Sequence, residues 1–282
     1  MRRLNFSEVL ALAGVLSFCS LVYELAIAAS FVGLTGDAPF WQSLTIGLYL
    51  AALGAGTWSC SRLAPRDSWA WLWGVELALT AAGALSASGI LSLDTALRVY
   101  RHFYAGASPS PWAGAAALAS GHLFTLLIGW LSGFELPLLL RLAKESDGKD
   151  RTREVLGVNY LGALAGSLAF SFCLYPALGA AGSATAAAGL NLAACAFRYR
   201  RAPAARDDVR TGGLATAAAV WAALFLLSPH LARLNAAAFH SVRIGAARSC
   251  STADAGLGRI LRELLQRSEA VERIPSAYQR IE

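Results

Sequence analysis

Apolar residues run along this chain in long blocks, broken by short stretches that are polar or basic. Within most blocks every face is apolar, which fits a segment buried on all sides or set in lipid. A backbone in hydrocarbon must satisfy its own hydrogen bonds, so such blocks become helices, and roughly 20 apolar residues cross the bilayer core. Seven blocks are candidates: 9–34, 39–60, 68–92, 111–140, 155–178, 182–198 and 212–235. The fourth is long enough to tilt or project from the bilayer, and the sixth is short and rich in alanine. The pattern predicts an all-α, polytopic bundle of about seven transmembrane helices.

Composition agrees. The 282 residues are 56% hydrophobic and only 15% charged, against about 25% charged in soluble domains. Mean hydropathy is +0.49. A soluble globule, a disordered chain and a collagen-like repeat are all excluded. The net charge of +6 does not point to nucleic acid, because the basic residues fall in small clusters between apolar blocks; the expected partner is the lipid bilayer. Arg2 and Arg3 precede the first block, and Arg62 and Arg66 follow the second. Arg141, Lys144, Lys149, Arg151 and Arg153 separate the fourth and fifth, and Arg198, Arg200, Arg201, Arg206 and Arg210 the sixth and seventh. Seven crossings put all four clusters on one side, so the N-terminus is expected in the cytoplasm of a bacterial-type inner (cell) membrane. The tail would then be outside, yet its many arginines suit the cytoplasm, and its side stays open. The Arg2–Arg3 start resembles a signal peptide without a small-residue cleavage site, so the first helix is read as uncleaved.

The domain division is 1–235 for the transmembrane part and 236–282 for the tail. In the tail Leu257, Ile260, Leu261, Leu264 and Leu265 recur at helical spacing opposite Arg259, Arg262, Glu263 and Arg267, predicting an amphipathic helix. Gly129–Gly133 and Gly162–Gly166 are GxxxG spacings, which let two helices approach closely; packing within the chain is favoured over a dimer. The five cysteines are scattered and read as small buried hydrophobes.

Polar residues inside apolar blocks each need a reason, because burying them costs a few kcal/mol unless they are paired. Three glutamates stand out: Glu24, Glu76 and Glu135. One reading is a mid-membrane acidic site that binds a cation, relays protons or holds a polyamine. The other is structural, with the carboxyls tying helices together. His122, Gln42, Asn159, Tyr160 and Asn191 are neutral partners within reach of such a site. His122 is read as a helix–helix hydrogen-bond former before a metal ligand, and no metal-binding spacing is present. Pro137 frees a carbonyl one turn earlier and is expected to kink its helix, opening a polar pocket beside Glu135, with Arg141 close by. Asp37, in the short loop before the second block, reads as a capping residue. No glycine-rich nucleotide or S-adenosyl loop exists, so no cofactor is expected and the chain is not expected to be catalytic alone.

Three stretches resemble the membrane domain of multi-spanning spermidine synthase-like (polyamine aminopropyltransferase-like) proteins. They are CSLVYELAIAASFVGLTGDAPFWQSLTIGLYLAALGAGTWSCSR, GFELPLLLRLAKE and VLGVNYLGALAGSLAFSFCLYPALGAAGSATAAAGLN, and together they cover roughly residues 15–195 in order. Matching positions add Tyr23, Glu24, Asp37, Gln42, Glu135, Arg141, Asn159 and Tyr160 to the candidates; Glu76 enters from burial. Asn159 stands where the family often has Asp, which argues against proton transfer there. Ser276-Ala277-Tyr278-Gln279-Arg280-Ile281 resembles the start of the aminopropyltransferase domain, so the tail is expected to end where that S-adenosyl-dependent domain would begin. The resemblance implies a membrane domain that anchors or serves an aminopropyltransferase-type domain. Two other classes remain: a structural accessory subunit working with other membrane subunits, and a small-molecule transporter.

Overall fold

The computed structural model describes residues 5–35, 37–63, 67–103, 111–201, 208–243, 274–275 and 280–281. Seven α-helices account for nearly all of them: α1 Phe6–Thr35, α2 Ala38–Leu63, α3 Ser68–Phe103, α4 Pro111–Asp147, α5 Thr152–Ala169, α6 Tyr175–Arg201 and α7 Asp208–Arg243. A π-helical turn, Phe170–Leu174, joins α5 to α6. Ile274–Pro275 (β1) and Arg280–Ile281 (β2) pair as a two-residue antiparallel ladder. The predicted amphipathic helix lies outside the described residues. The seventh helix runs to Arg243, past the expected boundary at 235, because Ala236–Ala238 and their neighbours favour helix over a break.

Short polar residues start the helices. The Asp37 carboxylate accepts the Phe40 amide at 3.2 Å, and that of Asp67 accepts the Ala70 amide at 2.9 Å, which is N-cap geometry for α2 and α3. At the start of α1 the Glu8 carboxylate accepts the Asn5 amide at 3.2 Å. At the start of α5 Asp150 accepts both the amide and the hydroxyl of Thr152. Those two donors favour the ionised form and hold the exposed Asp150 carboxyl below its ordinary value.

The two GxxxG segments form the tightest crossings, and both lie within the chain. A Cβ on Gly162 would fall 2.2 Å from the Gly14 carbonyl oxygen, and one on Gly166 would fall 2.7 Å from that of Phe18. These positions set α5 parallel to α1 with their backbones in contact. Gly133 and Gly56 meet likewise, where a Cβ on either would lie within 2.3 Å of a backbone oxygen on the other helix, and α2 runs parallel to α4. Pro137 of α4 has no N–H for the Gly133 carbonyl. The Thr57 hydroxyl of α2 stands 2.9 Å from that oxygen and 3.0 Å from Leu53 O, so α2 satisfies the group that proline frees.

The fifth and sixth predicted segments form one helical run without a connecting loop, and Gly179 interrupts it at φ +68°, ψ −176°. Register shows that the run doubles back there. Gly166 packs on Phe18, and Asn191, 25 residues on, stands beside Tyr23 of the same helix α1. A straight helix would have carried Asn191 roughly 37 Å further. The preceding π turn has a local cause: Tyr175 donates its amide to Phe170 O, five residues back, immediately before Pro176, which cannot donate.

The described residues contain four stretches long and apolar enough to cross a membrane: Phe6–Leu34, Ser68–Ala96, Ala119–Ser146 and Thr152–Phe197. Gly212–Ser228 is apolar but shorter. About seven crossings is therefore more than length and composition alone supply. The polar Gln42, Ser43, Thr45, Thr57, Ser59 and Ser61 of α2 dilute its hydropathy, and the two arms of 152–197 count as one stretch.

Several helix ends carrying basic residues gather at one end of the bundle. Ser68, at the start of α3, bonds Glu145, near the end of α4, at 3.0 Å. The Arg151 guanidinium, at the start of α5, sits 4.8 Å from the Phe6 ring centroid, at the start of α1. Arg141, Lys144, Lys149 and Arg153 belong to the same end.

Candidate functional site

A group of buried polar side chains gathers around the middle of α1, at Ser20, Tyr23 and Glu24. Helices α2, α3, α4 and α6 each bring a polar residue to this level. The three glutamates are almost fully enclosed, with exposures of 7% for Glu24, 3% for Glu76 and 5% for Glu135. None is paired with a cation among the described residues. A buried carboxyl without a cation partner is costly in its ionised form, so its neighbours decide what it can do.

Glu135 is well provided for. Ser20 donates to its Oε1 at 2.6 Å, and the Ser20 and Ser132 hydroxyls lie 3.2 Å apart. The single Ser20 proton is committed to the carboxyl, so Ser132 is the donor to Ser20. Tyr49 of α2 stands beside this chain and within electrostatic reach of Glu24. Pro137 lies two residues on from Glu135, on whose other side Ser20 and Ser132 form their bonded pair. Arg141 is half-buried and acts on Cys60 rather than on Glu135.

Glu76 is not provided for. Neither of its carboxyl oxygens has a hydrogen-bond partner, and the same holds for the Tyr23 hydroxyl and Asn191 Oδ1. Asn191 spends its amide on the Glu76 backbone carbonyl at 3.3 Å, which Thr80 also approaches at 2.9 Å. Asn191 stands beside both the Glu76 carboxyl and the Tyr23 hydroxyl without closing a bond to either. The Tyr23 ring is held there by Gly83, where a Cβ would fall 2.4 Å from a ring carbon. Glu76 and Glu135 act on each other electrostatically, so the two halves form one cluster.

The fold thus brings together Glu24, Glu76, Glu135 and Tyr23, and adds Asn191, Tyr49, Ser20 and Ser132. The last three were not singled out from the sequence, although Ser20 precedes Glu24 by four residues and Ser132 precedes Glu135 by three, which puts each pair on one helix face. The remaining candidates are elsewhere. His122 lies 13 residues before Glu135, roughly 20 Å along α4. It is stacked on Phe31 at 4.1 Å rather than hydrogen-bonded across helices, and Trp41 extends the stack at 5.8 Å. Its nearest polar contact, Thr125 on its own helix, is a marginal 3.5 Å away. Gln42 is exposed two turns before Tyr49. Asn159 contributes its backbone carbonyl, which accepts from Ser17 at 2.7 Å. Tyr160 is 68% exposed, because the Gly162–Gly166 face of α5 turns to α1 and places Tyr160 on the opposite side. Asp37 caps α2 at the end of the bundle away from the basic clusters. No group of three metal-binding side chains occurs among the described residues.

No family model and no solved structure matches the chain. Curated sequences do. A polyamine aminopropyltransferase of Mycobacterium tuberculosis is 34% identical over 192 residues, 66% of this chain and 34% of the relative. One of Leptospira interrogans is 34% identical over 166 residues, 58% of this chain and 30% of the relative. Polyamine aminopropyltransferase 2 of Streptomyces coelicolor is 33% identical over 177 residues, 60% of this chain and 30% of the relative. The chain is similar to polyamine aminopropyltransferases. It spans about a third of the length of these relatives.

Proposed function

We propose that this chain is the integral membrane domain of a spermidine synthase-like protein, which anchors or serves an aminopropyltransferase-type domain. All seven helices cross the bilayer, the two arms about Gly179 separately, with the N-terminus and the basic helix ends in the cytoplasm. The mid-bundle glutamates form a site for a polyamine or small cation. The observation that carries this reading is the pairing of about 34% identity to polyamine aminopropyltransferases with long apolar helices that enclose three glutamates. A transporter is the second reading, favoured by glutamates lying at one level of the bundle.

The test is co-isolation. The full chain, affinity-tagged and solubilised in mild detergent from cells that make polyamines, is expected to enrich aminopropyl transfer from an S-adenosyl donor to a diamine at least tenfold over a control membrane protein. Enrichment no greater than the control, from membranes that hold the tagged protein, contradicts the serving role. Diamine uptake into liposomes holding only this chain would favour the transporter.

A further inference from the structure

The cluster divides into a satisfied half and an orphaned half. In the satisfied half Glu135 is bonded by Ser20, and Ser20 by Ser132. In the orphaned half four oxygens lack partners: both of Glu76, Asn191 Oδ1 and the Tyr23 hydroxyl. Glu76 is 3% exposed, Asn191 1% and Tyr23 0%, and Asn191 lies against the other two. Buried polar groups are normally hydrogen-bonded, and each orphan costs the desolvation it never recovers. With Glu76 ionised, three of the four oxygens are pure acceptors, and the phenol can turn its lone pairs inward. The group that completes such a set is therefore a concentrated donor.

We propose that the Glu76–Tyr23–Asn191 pocket binds a protonated primary amine, the ammonium head of an alkylamine. This rests on the reading of the glutamate cluster as a ligand site, and it assigns the head group to Glu76 rather than Glu135. An ammonium brings three N–H donors and one positive charge. The charge answers Glu76, and the donors answer the Glu76 carboxylate, the Asn191 carbonyl and the Tyr23 oxygen. A hard metal cation takes about six oxygens, more than the pocket offers. The turns beside the pocket are apolar and closed: Leu72 and Leu79 flank Glu76, and Ala187 and Ala188 precede Asn191, all nearly unexposed. They suit an alkyl chain and are ill matched to a hydrated ion. The oxygens are sealed from solvent in this state, and entry requires α3 and α6 to part. The 3.3 Å bond from Asn191 to the Glu76 carbonyl is long enough to be a weak clasp.

The test is calorimetric titration of the full chain in lipid nanodiscs with n-butylammonium and with 1,4-diaminobutane. The wild type is expected to bind both. Glu76→Gln should weaken binding roughly 10- to 100-fold, the loss of a charge-assisted hydrogen bond. Tyr23→Phe should weaken it roughly 3- to 10-fold, while Glu135→Gln changes it less than Glu76→Gln does. Tyr23→Phe keeps the ring against Gly83, so it remains informative if Glu76→Gln fails to fold. Amine binding that survives both Glu76→Gln and Tyr23→Phe but is lost in Glu135→Gln overturns this assignment and leaves the acidic-site reading standing. Absence of amine binding in the wild type overturns both, and co-isolation of activity then judges the membrane-domain reading separately. Displacement of the amine by an equal concentration of sodium overturns the choice of ammonium over a metal cation.

Discussion

Gly162→Leu is expected to prevent recovery of folded, monodisperse protein, whereas Gly157→Leu on the same helix leaves folding intact. A Cβ at Gly162 would fall 2.2 Å from the Gly14 carbonyl oxygen and 2.9 Å from its Cα, while at Gly157 it meets nothing within 4 Å. The obstruction at Gly162 is backbone, which cannot swing aside as a side chain would. In the proposed membrane setting no hydrophobic term pulls helices together, so close backbone approach is the main source of α1–α5 affinity. Overpacking a well-formed contact costs about 1–3 kcal/mol and sometimes more. Wedging two backbones apart along a shared crossing belongs at the upper end. An exposed substitution stays within about 0.5 kcal/mol. Size-exclusion profiles and thermal unfolding of both variants in one detergent give the comparison. Equal behaviour of the two variants would show that the α1–α5 crossing is looser than described.

Glu76→Met and Ser20→Ala should shift stability in opposite directions, although both touch the same cluster. Glu76 carries two orphaned oxygens, so an unbranched apolar residue of similar shape removes a desolvation penalty and should stabilise the bundle by about 1–3 kcal/mol. Ser20 supplies the 2.6 Å bond to Glu135, and its loss leaves a buried carboxyl without that donor, costing about 1–3 kcal/mol. Denaturation in mixed micelles, with the amine absent, reads both. Stability gained by removing Glu76 would mean the residue is kept at a cost to the fold, as expected where a ligand completes the group. If Glu76→Met destabilises as much as Ser20→Ala, the carboxyl is a structural tie and the site reading fails.

Much of the helical plan can be read from the apolar blocks, because a long run without charge has few other solutions in lipid. The 177–181 break between the fifth and sixth blocks is legible as Pro176 and Gly179 within a small-residue stretch. That Gly179 reverses the chain without a loop follows from its positive φ, which sequence does not give. The glutamates are legible one at a time, as polar residues in apolar runs. Their meeting is not, because it depends on the rotation and register of five helices, fixed by contacts such as Gly83 with the Tyr23 ring and Gly133 with Gly56. Helix rotation also decides against Tyr160, which shares a segment with Gly162 yet faces away from α1. His122 shows a different limit: a histidine in an apolar run invites a polar role, and the parallel rings of Phe31 and Trp41 give it an aromatic one.

In the proposed arrangement all seven helices cross the bilayer with their basic ends in the cytoplasm. Reporter fusions after Asp37, Leu63, Lys149, Gly179 and Arg201 test it most directly, using a fluorescent protein that matures only in the cytoplasm and a phosphatase active only outside it. Fluorescence is expected after Leu63, Lys149 and Arg201, and phosphatase activity after Asp37 and Gly179. Reporters after Lys149 and Arg201 found on opposite sides of the membrane would contradict it, because residues 152–201 would then cross only once.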